Sequence, residues 1–425
     1  MRNGPYILVF LCPIFIGTMS CVEPFEAETQ VFENALVIDA RLTDEFKRHR
    51  IELSRARPFE QETSMAELKA TVMVIEDAKN FYDFHEVEQG QYLSVKEFSA
   101  KQNSSYELRI TTSDGKSYNS EAVTTPEKIA IEDLYVEIET NNSGEEGVSV
   151  FLDSRSVTNS ASYFRYEYEE TYKVIAPYWN PFDFDVIDDK GVGEDGDPFE
   201  VGLKPKEREE RVCYNTTFST AINQTATDGL EENKLKRHSI RFISKNNYII
   251  SHRYSILVQQ HVQNLDAFSY YQSLNAFSSS ESVFFENQPG FLLGNISSET
   301  NPDEKILGFF EVTAVTSKRI YFNYQDLFPL EPLPPYYINC EPIQEPLLWL
   351  PTADTHSFDG TGRSPLIEAI QAGLIKYYAT NPDYVETFSI DELNENTRGP
   401  YFAKATACGD CNVLGSNIKP DFWIE

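Results

Sequence analysis

Residues 105–120 read SYELRITTSDGKSYNS. Up to Thr112, every second residue is apolar. Tyr106, Leu108 and Ile110 point one way, and Glu107, Arg109 and Thr111 the other. A period of two with one apolar face is a half-buried strand. Asp114-Gly115 then supplies a two-residue hairpin turn, and the chain returns. The same texture continues toward the N-terminus, in ALVIDAR (35–41), RIELSR (50–55), ATVMVIE (70–76) and QYLSV (91–95). Roughly seven short strands within a hundred residues suit an immunoglobulin-like β-sandwich. Five of these, plus the second arm of the hairpin, are visible by pattern. The aromatic content (24 Tyr and 29 Phe) agrees with β structure.

Beyond residue 120, TTPEK around Pro126 marks a boundary, and strands resume at Ile131. YFRYEYEETY (163–172) sets Phe164, Tyr166 and Tyr168 against Arg165, Glu167 and Glu169. The aromatic row is read as core, with sugar stacking as the alternative. Residues 173–210 carry four prolines and an acidic run from Asp183 to Glu200, and read as a long surface insertion. HRYSILVQQHV (252–262) is a strand. NLDAFSYYQSLNAF (264–277) is an amphipathic helix with Tyr270, Leu274 and Phe277 on one face. KILGFFEVTAV (305–315) and KRIYFNY (318–324) are expected to form a hairpin. SPLIEAIQAGLIKYYATN (364–381) is expected to be a helix capped by Ser364 and stopped by Pro382. The predicted class is mainly β: an N-terminal immunoglobulin-like sandwich over 31–125, then a larger β-sandwich over 126–425 with a few short helices.

The chain opens on MRNGPYILVFLCPIFIGTMSC. The apolar run from Tyr6 to Ile16 is too short to span a bilayer, which takes ~20 residues, and has the proportions of a signal-peptide core. Gly17, Thr18 and Ser20 before Cys21 resemble a lipobox, although Thr18 stands where leucine is usual. Residues 1–20 are therefore read as a lipoprotein leader, Cys21 as the lipidated residue, and residues 21–30 as an acidic tether. Four cysteines remain in the exported chain: Cys213, Cys340, Cys408 and Cys411. An even set in an oxidising compartment forms disulfides, and sequence allows three pairings. The expectation is a local Cys408–Cys411 staple and a long-range Cys213–Cys340 bond. The net charge is −31. That disfavours nucleic acid and adsorption to an anionic membrane surface.

No motif announces chemistry. GVGEDG (191–196) spells a dinucleotide loop, but its own carboxylates would repel phosphate. Asp189, Asp195, Asp197 and Glu200 fall on positions of a calcium loop, with glycines where carboxylates are needed. HEVEQ (85–89) has Gln89 in place of the second histidine of a zinc motif. GxSxG does not occur. His238, His252 and His261 lack ligand spacing and read as strand residues. Hence no catalytic residue, metal or cofactor is assigned.

Longer stretches carry a resemblance. LVIDARLTDE (36–45), YELRITTSDGKSYNSE (106–121), RYSILVQQHVQNLDAFSYYQSL (253–274), GNISSETNPDEKILGFFEVTAV (294–315) and CGDCNVLGSNIKPDFW (408–423) together resemble a Bacteroidota lipoprotein family catalogued as domain of unknown function 4249. The resemblance implies a β-sandwich lipoprotein of the outer membrane, exposed at the cell surface. It also implies a non-enzymatic accessory role beside a TonB-dependent receptor in nutrient capture. The alternatives are a free-standing glycan- or peptide-binding module and, behind it, a surface hydrolase.

Overall fold

The computed structural model describes residues 34–56, 65–156, 162–190, 199–228, 230, 233–279, 292–351, 362–386 and 393–425. The leader, Cys21, the tether, GVGEDG and two of the calcium-loop carboxylates (Asp195 and Asp197) lie outside these residues.

The chain is mainly β. Strands Leu36–Thr43, Arg50–Arg55, Thr71–Glu76, Gln91–Ser94, Ser105–Thr111 and Ser117–Ser120 stand where alternation put them. Besides the two-residue strands Met65–Ala66 and Val123–Thr124, one long strand went unseen: Asn80–Glu88 pairs with both Thr71–Glu76 and Gln91–Ser94. Its outward face carries Phe81 and Val87, so its polarity pattern misleads. The inward faces close on one core holding Leu36, Ile38, Leu53, Val74, Leu108 and Tyr118. Each such side chain contributes about 1.5–3 kcal/mol on burial. The turn at Asp114-Gly115 is wider than two residues. Thr112 N–H bonds to the Lys116 carbonyl, and Gly115 takes φ +86° inside it.

A second sandwich follows. Ile131–Thr140, Glu146–Arg155 and Lys234–Ser244 form a three-stranded sheet. It packs on Tyr163–Ile175 and Arg253–Gln263, with Val148, Val150 and Leu152 meeting Phe164, Tyr166, Ile256 and Val258. The expected hairpin at 305–324 is instead one strand, Ile306–Asn323. Thr316-Ser317 offers no turn residue of the kind a tight reversal needs, and β-branched residues run up to it. This strand joins the two sandwiches. Its first part pairs parallel with Leu36–Thr43, from Leu36↔Ile306 to Thr43↔Thr313. Its second part pairs antiparallel with Arg253–Gln263, from Val262↔Ala314 to Arg253↔Asn323. The sheet is thus continuous across residue 125, and Ile306, Phe310 and Val312 belong to the first core. Gly308, at φ +117°, makes the parallel join possible, since a Cβ there would lie 1.9 Å from the Ile38 carbonyl oxygen.

The described parts of 173–210 hold more regular structure than their prolines suggest. Tyr163–Ile175 extends into them, and Phe182–Asp188 pairs with Glu200–Pro205. Phe184, Phe199 and Val201 then form a third, small core with Trp349, Leu366 and Tyr377. The expected helix at 364–381 ends early. Ser364 does cap it, but it runs only Pro365–Gln371. Gly373 at φ +66° terminates it, and the β-branched and aromatic IKYYAT that follows is a strand, Ile375–Thr380.

All four cysteines are bonded, but not as expected. Cys213 pairs with Cys411, and Cys340 with Cys408. Cys408 sits on a short helix, Thr406–Gly409, and Asp410 is extended, so the two sulfurs of the CxxC face different neighbours. The Cα separations, 5.6 and 5.8 Å, are ordinary for disulfides. The C-terminus thereby straps the second sandwich. Tyr214 and Ser416 exchange backbone hydrogen bonds, and Trp423 packs edge-on against Tyr214.

Candidate functional site

The aromatic row of Tyr163–Ile175 is core: Phe164 and Tyr166 are fully buried. The opposite face of that strand carries the site. Arg165 and Glu167 look across the sheet toward Asp39 and Arg41 of Leu36–Thr43, and toward Glu311 of Ile306–Asn323. Helix Leu265–Ser279 lies over this face. Asn264 caps it by accepting from the Ala267 N–H at 2.8 Å, and Gln224 ties its first turn down through the Phe268 carbonyl. Tyr270 stacks near Phe309 with centroids 4.9 Å apart. Between helix and strands is a cavity of about 510 Å³. That is within the ~300–1,000 Å³ of ligand sites. Its walls include Val37, Ile38, Leu307, Phe309, Tyr270 and Leu274.

The floor is a chain of alternating charge. Arg41 forks onto Asp39 at 3.0 and 3.1 Å and reaches Glu167 at 3.0 Å. Arg165 donates to Glu167 and, at 2.9 Å, to Glu311. Glu311 is 1% exposed and also accepts from Gln263. The Arg165 guanidinium lies over the Tyr271 ring, 4.9 Å from its centroid. His261 Nδ1 is 3.3 Å from the Thr313 hydroxyl, and its Nε2 stands 3.5 Å from Glu167.

These contacts hold the protons in place. Burial alone would raise the Glu167 carboxyl, but His261, Arg165 and Arg41 outweigh it and hold the group well below the usual carboxylate range. Burial would lower Arg165, but Glu311 and Glu167 drive it well above the ordinary arginine value. Burial pushes the Tyr271 hydroxyl far up. A carboxylate held ionised suits charge recognition. A general acid would need the opposite shift.

The residues singled out from sequence scatter elsewhere. His85 is exposed on a strand and does not sit on a helix as a zinc motif requires. His238 bonds Asn223 at 2.9 Å, and burial lowers it to about 4. Of the three clustered histidines, only His261 borders the site. Sequence reading did not find Arg41, Arg165 or Glu311 as partners. The one local signal was the charged face of 163–172, and it does not reveal which strands lie opposite.

The fold and cavity define a class: a mainly β, disulfide-strapped double sandwich with a cavity at its seam. Within that class the chain belongs to the family described as domain of unknown function 4249, whose model matches residues 22–319. The match takes in the first sandwich, the cavity and most of the joining strand. It ends before CGDCNVLGSNIKPDFW, so that part of the sequence resemblance lies outside it. No curated protein matches the chain.

Proposed function

We propose that this chain is a lipid-anchored protein of the outer membrane, facing the cell surface, that serves a TonB-dependent receptor as a non-enzymatic accessory in nutrient capture. The cavity at the seam of the two sandwiches carries the reading. It is of ligand size, lined by apolar side chains over a preorganised charged floor. Export is supported by a leader that ends at Cys21 and by the two disulfides, which persist in oxidising compartments. Among the described residues, no helix is long and apolar enough to cross a membrane. The test is to tag the protein in its native host, solubilise the outer membranes gently and identify what co-purifies. A TonB-dependent receptor in stoichiometric amount, with uptake reduced on deletion, is the expected result. A fully expressed, lipidated protein that purifies alone overturns the accessory role and leaves a free-standing surface binder.

A further inference from the structure

We propose that the seam cavity binds an uncharged molecule with an apolar body and a head of neighbouring hydroxyl groups. The proposal rests on the reading of this cavity as a ligand site and takes nothing else from the previous section.

Charge balance is the first argument. Among the described residues, four charged side chains line the cavity: Asp39, Arg41, Arg165 and Glu167, two of each sign. They form a row in which each group bonds to a neighbour of opposite sign, Asp39 to Arg41, Arg41 to Glu167 and Glu167 to Arg165. Glu311 backs Arg165 and His261 backs Glu167, and neither lines the cavity. Arg41 stands 3.0 Å from each of its two carboxylates. A ligand ion drawn to one member of the row is therefore repelled by the next. It would lose hydration without gaining an unshared counter-ion. A neutral head leaves the row balanced.

The second argument is unspent hydrogen-bonding capacity. The two Arg41 Nη atoms donate one N–H each, to Glu167 and to Asp39, and each keeps a second N–H. Among the described residues, both Asp39 oxygens accept from Arg41 alone, and each keeps a further lone pair. Spare donors and spare acceptors thus stand side by side, on side chains 41% and 49% exposed. An ammonium only donates and a carboxylate only accepts, so either uses half of what the row offers. A hydroxyl does both. Two hydroxyls on adjacent carbons can take a guanidinium prong and a carboxylate oxygen together, and the ionised partners strengthen both bonds. Ser219 and Thr220 add hydroxyl side chains to the same lining.

The third argument is the walls. Ile38, Leu274, Leu307 and Phe309 offer no side-chain hydrogen bond and suit a hydrocarbon or aromatic body. A hydroxylated head without such a body would leave these walls against water.

The test uses four probes on one phenylbutyl frame: 4-phenylbutane-1,2-diol, 4-phenylbutan-1-ol, 4-phenylbutylamine and 4-phenylbutyrate. Each is titrated calorimetrically at pH 8 into the full-length chain in phosphatidylcholine nanodiscs, with empty discs subtracted. The diol is expected to bind about tenfold more tightly than either ion, with the single alcohol between them. Asp39→Asn leaves the lining with one positive charge in excess and should raise the carboxylate about tenfold relative to the diol. Arg41→Gln leaves one negative charge in excess and should raise the amine by a similar factor. Leu307→Trp, which fills the cavity, should remove all four. Unfolding temperature and intact disulfides establish that each variant is folded. Either ion matching the diol on the unaltered chain, an alcohol as tight as the diol, no binding by any probe, or an order of probes that neither charge substitution moves would each overturn the proposal. The receptor experiment stands apart. A co-purifying receptor with no diol binding sinks this inference alone, and diol binding without a receptor sinks only the accessory role.

Discussion

The first sandwich and the C-terminal region stabilise themselves by different means. Among the described residues, the first core gathers twenty buried apolar side chains, the third core only nine. Among the described residues, neither disulfide touches the first. The C-terminal region has both disulfides, Cys340–Cys408 beside the third core and Cys213–Cys411 anchoring the strap in the second core, together with the ion network of Lys206, Lys376, Asp183, Glu210 and Asp410. A small core supplies little net stability, and small units add cross-links or ionic ties. The network is also a registry device. Lys376 lies on Ile375–Thr380, Asp183 on Phe182–Asp188 and Asp410 between the two strap cysteines. Removing one partner would strand a buried charge, so the segments must arrive together.

This contrast can be broken most severely at the first core. Phe310 is fully buried where the joining strand enters it. Phe310→Ala should cost about 3–5 kcal/mol. Hydrogen exchange should then show residues 36–120 losing protection while the C-terminal region keeps most of its own. Equal loss in both regions would mean that they form one cooperative unit. The converse experiment removes the straps. Replacing Cys213 and Cys411 together by Ala should cost about 2–5 kcal/mol. It should release protection first around 340–425, as read by the same exchange measurement.

Acid should separate the regions as well. His49 is buried in the first core, with Nε2 at 2.9 Å from the Phe98 carbonyl and Nδ1 without a partner. Burial lowers its pKa from 6.5 to about 4. The unfolded chain therefore takes up a proton at a pH where the folded chain resists it. Stability from this group is complete above the ordinary histidine value and declines as pH falls from 6.5 toward 4, by on the order of 2–3 kcal/mol. Asp183 behaves differently. Burial would raise it, but Lys376 and Lys206 hold it below its ordinary 3.8. Its contribution survives above 3.8 and is lost only as pH falls through its lower folded value. Urea titrations from pH 7 to 4 should show a decline that His49→Gln flattens. A profile unchanged by that substitution would remove His49 as the cause.

The smallest effect is a gain. Asp77 and Ala78 both take positive φ, 50° and 55°, in the turn joining Thr71–Glu76 to Asn80–Glu88. Such turns favour glycine, and alanine there is strained. Ala78→Gly should raise stability by about 1 kcal/mol, seen as a higher denaturation midpoint. No gain would mean that the added freedom of the unfolded chain offsets the relieved strain.

Much of the fold could be read directly where the information was local. RIELSR and SYELRIT are strands because their side chains alternate, and alternation is complete within six or seven residues. Ser364 caps a helix because its hydroxyl reaches the Ile367 N–H three residues on. The reading failed where a polar interruption had two meanings. Thr316-Ser317-Lys318 looked like a turn, yet it is the stretch where one strand continues from a buried to a partly solvated setting. NFYDFHEVE hid a strand because its aromatic residues face both ways.

Sequence by itself determined the mainly β class and most of the first sandwich's strands, since each depends on residue type and short spacing. Only the tertiary structure decided the disulfide partners, one of which lies 198 residues away from its mate. Only the tertiary structure brought Arg41 and Arg165 to one cavity and buried Glu311 against Arg165, from strands that are distant in sequence and share one face of a joined sheet. Alternation tells which face a side chain takes. It carries no information about which other strand will lie beside it, because that is settled by packing over the whole chain.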